Sequence, residues 1–441
     1  MEETNSKPGQ TQTADAVNSN QKRLKNILVW ALTGQFGRLA RAVLDQVLIQ
    51  SLPLRRFLRN HSVIQKRLQE KQLQRIMATL YGADTPSMRK GIKVALILRD
   101  GDTYPKSSAF IRLIAPLTHP IARAVVSVKL YRENTTVVDD DTNACIVQRT
   151  AYDNEKTAEQ FILNIRERNI PLILDNDDAF HDIDKTHPEH SLHAEKLAAM
   201  NHIVRAANQI WLSVPALKPS YLFTKSKISI IENSLDLRIW QKGQAKGKRP
   251  ATPKSGPLHM VYVGTVTHDA DFKMILPALD ALAGKFPSSF TLTVIGVSDD
   301  LPDRPWINRI YQPKYGSIYP VFVSWLCSQG PFELGLAPLE DSEFNRGKSD
   351  IKCLDYLALG IVPVVSDVMP YQKPELRNLI IKAKNKPGDW ERTLTNIVSN
   401  PSAFRDHAAT LAPQAQEYIW EKRSSKAIAI QMTHLLKGLV E

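Results

Sequence analysis

From Ile92 onward the chain alternates short β-branched runs with segments of helical period, and it does so twice. The first set of runs is IKVALIL, AVVSVKL, NACIVQR, IPLILD, NQIWLS and KISII, with helical patterns over 107–117, 155–168 and 189–206. Such runs suit strands buried on both faces, and their alternation with helices predicts a parallel, doubly wound sheet. Residues 241–257, QKGQAKGKRPATPKSGP, break the pattern with Lys, Gly and Pro and predict a linker. LHMVYVG, FTLTVIG, INRIY, FELGLAP and IVPVVS then predict a second parallel sheet, and residues 402–437 carry a helical pattern.

A chain of 441 residues with 43% apolar composition can bury two or three cores. Its net charge of +12 suits phosphate-bearing partners. Aromatics are only 7%, without basic interleaving or a nucleic-acid module, so nucleic acid is disfavoured. Cys145, Cys327 and Cys353 are scattered and odd in number, which fits a reducing cytoplasm better than a disulfide framework or a zinc site. No stretch is long enough to span a bilayer and no secretory signal stands at the start.

The first ninety residues hold fifteen Lys or Arg against six Asp or Glu, an excess of nine and most of the chain's surplus. Residues 1–21 predict a disordered tail and 22–90 a basic helical extension. Amphipathic, basic patterns over 22–80 fit peripheral contact with an anionic membrane on its cytoplasmic face, and equally a helical extension packed on the enzyme or a partner.

Phe332 to Tyr371, FELGLAPLEDSEFNRGKSDIKCLDYLALGIVPVVSDVMPY, reads as strand, loop, helix, strand. Lys348 to Leu359 has helical period and stops at Gly360. At about 100° per residue, Lys348, Lys352 and Asp355 form one stripe opposite Ile351, Leu354, Leu357 and Ala358. Two ammonium groups near a helix N-terminus suit phosphates, and a carboxylate one turn on suits sugar hydroxyls. The same stripe also suits a solvated face with a Lys352–Asp355 pair.

The stretch FNRGKSDIKCLDYLALGIVPVVSDVMPY resembles the donor-site segment of bacterial glycosyltransferases related to family four, which have the GT-B fold. Asp355 stands where that family usually has Glu, and Gly347 stands where better-known members have a second acid. Three further segments share the resemblance: YVGTVTHDAD around Gly264, IPLILDNDDAF at 170–180, and KSSAFIR at 106–112. It covers about 92–430 and implies two facing Rossmann-like doubly wound domains. These are 91–240 on the acceptor side and 258–401 on the donor side, with helices over 402–441 crossing back to the first domain.

The implied reaction moves a sugar from a nucleotide-diphosphate-sugar donor to a glycan or lipid-linked acceptor, with retention, in surface polysaccharide or glycoconjugate synthesis. Lys348, Lys352 and Asp178 are the expected catalytic residues. Gly264, Thr265, His268, Asp271, Asn345, Ser349 and Asp355 are expected at the donor. Ser108, Arg112, Asp177 and His181 are expected on the acceptor side. No cofactor and no metal are implied. Asp175-Asn176-Asp177 also matches the Asp-x-Asp of metal-dependent transferases, a motif common by chance, and His181, His187, His190 and His193 have no compact metal spacing. Two other classes stay open: a catalytically degenerate GT-B protein that binds a nucleotide or partner, and a dinucleotide enzyme, which the lack of G-x-G-x-x-G after either opening strand disfavours.

Overall fold

The computed structural model of the chain describes residues 91–101, 104–105, 107–183, 190–246, 255–265, 268–296, 302–312, 316 and 318–441. The tail and basic extension expected at 1–90 lie outside the described residues, as do Lys106, Thr267, His187 and 247–254 of the expected linker.

Two parallel six-stranded sheets are present. The first contains β1 (Ile92–Ile97), β2 (Val126–Tyr131), β3 (Ala144–Gln148), β4 (Leu172–Asn176), β5 (Gln209–Leu212) and β6 (Lys227–Ile230), in the order β2-β1-β3-β4-β5-β6. The second contains β7 (Leu258–Val263), β8 (Phe290–Ile295), β9 (Ile307–Ile310), β10 (Leu334–Ala337), β11 (Val362–Ser366) and β12 (Ile381–Ala383), in the order β9-β8-β7-β10-β11-β12. The sequence runs predict every strand except β12, whose three residues are too few to show a period. In each sheet the order reverses beside the opening strand, between β1 and β3 and between β7 and β10. Ligands in such sheets bind at the carboxyl ends beside that reversal.

Helices cover the faces. α1 spans 107–117 with a π turn at Phe110–Ile114. α2 (Glu155–Glu167) begins where the Asn154 side chain accepts from Thr157 N–H, and it buries Ala158, Phe161, Ile162 and Ile165, the i, i+3, i+4, i+7 set. α3 (His190–Ala206) completes that domain's covering. α4 (Leu237–Lys246) takes up the first residues of the expected linker and packs against α6 (Tyr319–Leu326). α5 (Asp269–Lys285), α7 (Ile351–Ala358) and α8 (Asp389–Val398) cover the second sheet. After α9 (Pro401–Glu417) and a π turn at Tyr418–Lys422, α10 (Ser425–Val440) packs against β1 and the end of α1. The final helix therefore crosses back to the first sheet.

The two crossing segments are bonded to each other. Leu235 N–H donates to Arg423 O and Ser425 N–H to Leu235 O, each at 2.9 Å. Beside them Asp350, fully buried, accepts from Arg423 Nη1 at 2.6 Å and Nη2 at 2.7 Å, with Lys373 Nζ at 3.0 Å. Burial alone would push the Asp350 carboxyl up. The Arg423 and Lys373 charges outweigh it and hold the group below the ordinary carboxylate range. A carboxylate held low stabilises the fold above its unfolded pKa, and that contribution disappears as pH falls through the folded value. Arg423→Met leaves Asp350 buried without its main partner and is expected to cost roughly 3–5 kcal/mol at neutral pH, while Arg423→Met with Asp350→Leu recovers much of it. Equilibrium unfolding in guanidinium checks both; a single variant within about 0.5 kcal/mol of the parent would show the pair to be dispensable.

Candidate active site

The carboxyl ends of β7 and β10 frame the first half of the site. Gly264 follows β7, and a Cβ there would lie 2.8 Å from Cε1 of Tyr262, so only glycine fits. Its N–H donates to Ile295 O at 3.0 Å, so the amide of this expected donor residue is already engaged within the sheet. Thr265, next in the chain, is exposed. His268 Nδ1 lies 2.7 Å from Asp271 Oδ2, and Asp271 Oδ1 accepts from Glu340 N–H at 2.7 Å. Asp271 is thus a buried brace between the loops after β7 and β10 rather than a group open to a ligand. The Lys352 charge, then burial, push His268 down to about 4, against the Asp271 hydrogen bond. A neutral imidazole donating from Nδ1 to Asp271 keeps its lone pair on Nε2.

α7 is fixed to the same two strands by Tyr356. Its hydroxyl donates to Leu336 O at 2.9 Å and accepts from Val263 N–H at 3.0 Å. Its ring fills the space over Gly335, where a Cβ would lie 2.4 Å from ring Cγ. This anchoring sets the position of Lys352 and Asp355. The helix starts at Ile351, so Lys348 lies in the preceding turn, and the expected single stripe of three residues on one helix does not form. Nor is that side of the helix solvated. Lys352 Nζ stands 5.0 Å from the centroid of the Tyr262 ring, and burial, with the Lys348 charge, lowers it to about 8 against the pull of Asp271 and Asp355. Burial likewise raises Asp355 to about 8, with Lys352 acting the other way. Asp355 Oδ1 is buried with no hydrogen-bond partner.

The ends of β3 and β4 carry the second half. Asp175 takes a bidentate contact from Arg112, whose Nη1 also donates to Ile231 O at 2.8 Å and Asn233 Oδ1 at 3.0 Å. Arg112 is 1% exposed, so the expected acceptor-side role is corrected: it is an internal tie between β4 and the crossing segment. Asp177 pairs with Arg149, whose Nη2 also lies 3.5 Å from Asp178 Oδ2. Burial pushes Asp177 up, but the Arg149 charge and hydrogen bond outweigh it and hold the carboxyl low. Arg149 adopts φ 51°, strained for a non-glycine residue, and its guanidinium lies 5.5 Å from the Phe180 ring centroid. The sequence gives Arg149 no signal beyond its place at the end of a strand run. His181 is committed elsewhere, with Nε2 3.0 Å from Asn201 Oδ1 and its ring edge-on to Tyr221. Ser108 is half-buried near the start of α1. Asp175 and Asp177 each face an arginine, and among the described residues no cluster of His, Cys, Asp or Glu is arranged to hold a metal.

The loop before α7 joins the two halves. Phe344 is part of the first domain's hydrophobic core. Gly347 sits so close that a Cβ would lie 2.7 Å from Ala179 Cβ and 2.9 Å from Leu217 Cδ2. A larger side chain at Gly347 would have to displace this packing. Lys348 Nζ stacks 4.5 Å from the Phe344 ring centroid and reaches Asp178 Oδ1 at 3.6 Å. Ser349 Oγ accepts from Asn233 Nδ2 at 2.7 Å, and Asn345 Nδ2 donates to Glu340 O at 3.0 Å. Those two expected donor contacts therefore hold the loop in shape. The structure brings together Lys348, Lys352, Asp355, His268, Asp177 and Asp178, and leaves Arg112 and His181 outside as packing residues.

No protein-family model matches the chain, and no curated protein sequence matches it. Among solved structures it resembles HepE of Anabaena in complex with UDP-glucose, with TM-score 0.53 and 11% identity over 79% of this chain and 100% of that one. It also resembles a glycosyltransferase from Rickettsia africae, with TM-score 0.52 and 8% identity over 80% and 99%. Identity this low speaks for the fold alone. With the two facing doubly wound sheets and the returning helix, the chain has the GT-B fold.

The half-buried Asp355, with Oδ1 sealed from solvent, carries a stability cost of definite sign. Its folded pKa of about 8 exceeds the unfolded value of 3.8, so the cost is absent below about pH 4, grows as pH rises to 8, and is constant above. Asp355→Asn is expected to stabilise the fold by a few kcal/mol at pH 8 and by little near pH 4. Unfolding midpoints of both proteins across that range check this; an equal shift at all pH values, or a loss, would contradict it.

Proposed function

We propose that the protein is a glycosyltransferase that moves a sugar from a nucleoside-diphosphate donor to a glycan or lipid-linked acceptor. The observation that carries this is the half-buried, half-compensated ammonium of Lys352 at the β7–β10 reversal, with Lys348 beside it and Asp355, whose sealed Oδ1 has no partner, one turn on. An isolated cation in such a place is costly unless an anion completes it. A diphosphate lying against Lys352 and Lys348 does so, and Asp355 accepts or donates to the ribose hydroxyls.

Chemistry follows from where charge develops. As the glycosidic bond breaks, its electron pair passes to the diphosphate oxygen, and the two ammonium groups are worth more to the leaving group than to the bound donor. In this reading Asp178 takes the acceptor hydroxyl proton, and the new bond forms on the face the diphosphate leaves, retaining configuration. The lysines supply the charge that a divalent cation brings in other transferases, so activity is expected to persist in excess chelator. HepE, solved with UDP-glucose, makes a uridine diphosphate sugar the first donor to test.

Lys348→Ala and Lys352→Ala are each expected to lower kcat/KM about 10²–10³-fold. Neither is expected to lower the melting temperature, since removing the half-buried Lys352 ammonium relieves part of a desolvation cost. Near-parental kcat/KM in both variants would place the donor elsewhere. Donor affinity is also expected to weaken as pH rises through about 8, because Lys352 loses its proton there in the free protein. Calorimetry in buffers of differing ionisation enthalpy at pH 8 should record proton uptake on UDP binding, and the absence of uptake would separate Lys352 from the diphosphate.

A further inference from the structure

The 3₁₀ segment Pro215–Tyr221 begins at the cleft, where Leu217 touches the Gly347 position, and ends in an exposed apolar tip. Leu222 is 74% and Phe223 53% exposed, two adjacent large apolar side chains in water. The tip is held out by buried anchors on either side. Tyr221 before it is fully buried, and its hydroxyl accepts from Asn176 Nδ2 at 2.7 Å. After it, Ser226 Oγ donates to Ala207 O at 2.7 Å. The surroundings are basic. The Arg205 guanidinium lies 5.8 Å from the Phe223 ring centroid, and Lys218, Lys225 and Lys227 are exposed. From Val214 to Ile231 the chain contains no acid, and Asp182 meets the segment at Ser220, 3.3 Å from its hydroxyl.

We propose that the Leu222–Phe223 tip, ringed by Arg205, Lys218, Lys225 and Lys227, docks the protein onto an anionic lipid bilayer. Adjacent leucine and phenylalanine side chains fit the acyl boundary, while the lysine and arginine heads stay at the level of acidic headgroups. Charge decides among the occupants of the patch. A second copy of the same patch carries positive charge and would be repelled. The same 3₁₀ segment borders the cleft at one end and forms the tip at the other, so docking brings the cleft close to the lipid surface. This surface lies outside the donor site, and the inference stands whether or not the protein transfers sugar.

All three cysteines of the chain are buried, so Leu222→Cys introduces a uniquely accessible thiol and keeps Phe223. The full chain carrying an environment-sensitive dye at that thiol is mixed with vesicles of phosphatidylglycerol or of phosphatidylcholine. Phosphatidylglycerol vesicles should raise the emission and allow quenching by acyl-chain spin labels, with the effect weakened by salt, and phosphatidylcholine should do neither. Lys225→Glu with Lys227→Glu should lower partitioning into phosphatidylglycerol at least about tenfold, with an unchanged melting temperature. The proposal is overturned if the chain ignores anionic vesicles. It is equally overturned if the chain sediments with them while the dye stays unquenched, since another segment then makes the contact. A dye already shielded without lipid, in a species of doubled mass, would assign the tip to a second copy instead.

Discussion

The Asp350–Arg423 pair is the contact on which the site's geometry rests. Asp350 immediately precedes α7, and Arg423 stands at the entry to the returning helix. Through Nη2, Arg423 also bonds Asn233 O at 3.0 Å, and Asn233 in turn holds Arg112 and Ser349. One line of buried bonds therefore runs from Asp175 at the end of β4, through Arg112 and Asn233, to the loop carrying Lys348, and on to Asp350. Each charge in it is desolvated, so removing any one strands another. The arrangement fixes where one sheet's carboxyl ends stand relative to the other's, which a two-domain site needs more than it needs rigidity within either sheet.

The sheets were legible because their information is local. Parallel strands buried on both faces must be apolar along their length, and eleven runs of that kind predict eleven of the twelve strands of the two six-stranded sheets. Site residues were less legible because their roles depend on partners far away in sequence. Arg112 and Asp175 are 63 residues apart, and nothing local distinguishes an arginine that reaches a cleft from one sealed inside. Lys348 follows a helical period that its neighbours do not adopt. Its backbone N–H bonds Asn345 O, within the turn that closes the short helix Glu343–Arg346. Gly347 is explained only by Ala179 and Leu217, which belong to the first domain's core.

Lys352 and Asp355 show what a site can cost its fold. Each is pushed toward its neutral form by burial, and together they meet near pH 8 from opposite sides. Paired buried charges of ideal geometry would bond directly. Here Asp355 Oδ1 has no partner, and Lys352 rests against the Tyr262 ring. A fold selected only for stability would place apolar residues at both positions. Their retention is intelligible when a ligand brings the missing anion and the missing hydroxyls, because the desolvation already incurred in folding then need not be incurred again on binding.

Lys348 adds coupling between the two sides of the cleft. Without a ligand it stands 3.6 Å from Asp178, which also feels Arg149, so the acidic loop after β4 and the turn before α7 share one set of charges. A diphosphate drawing on Lys348 competes with Asp178 for the same ammonium. As that pairing weakens, Arg149, fixed by Asp177 and the Phe180 ring, limits how far Asp178 can move. An anion bound at Lys348 on one side would thereby be linked to the position of a carboxylate on the other. Such linkage is reciprocal: whatever draws Asp178 away frees Lys348 for an anion in equal measure.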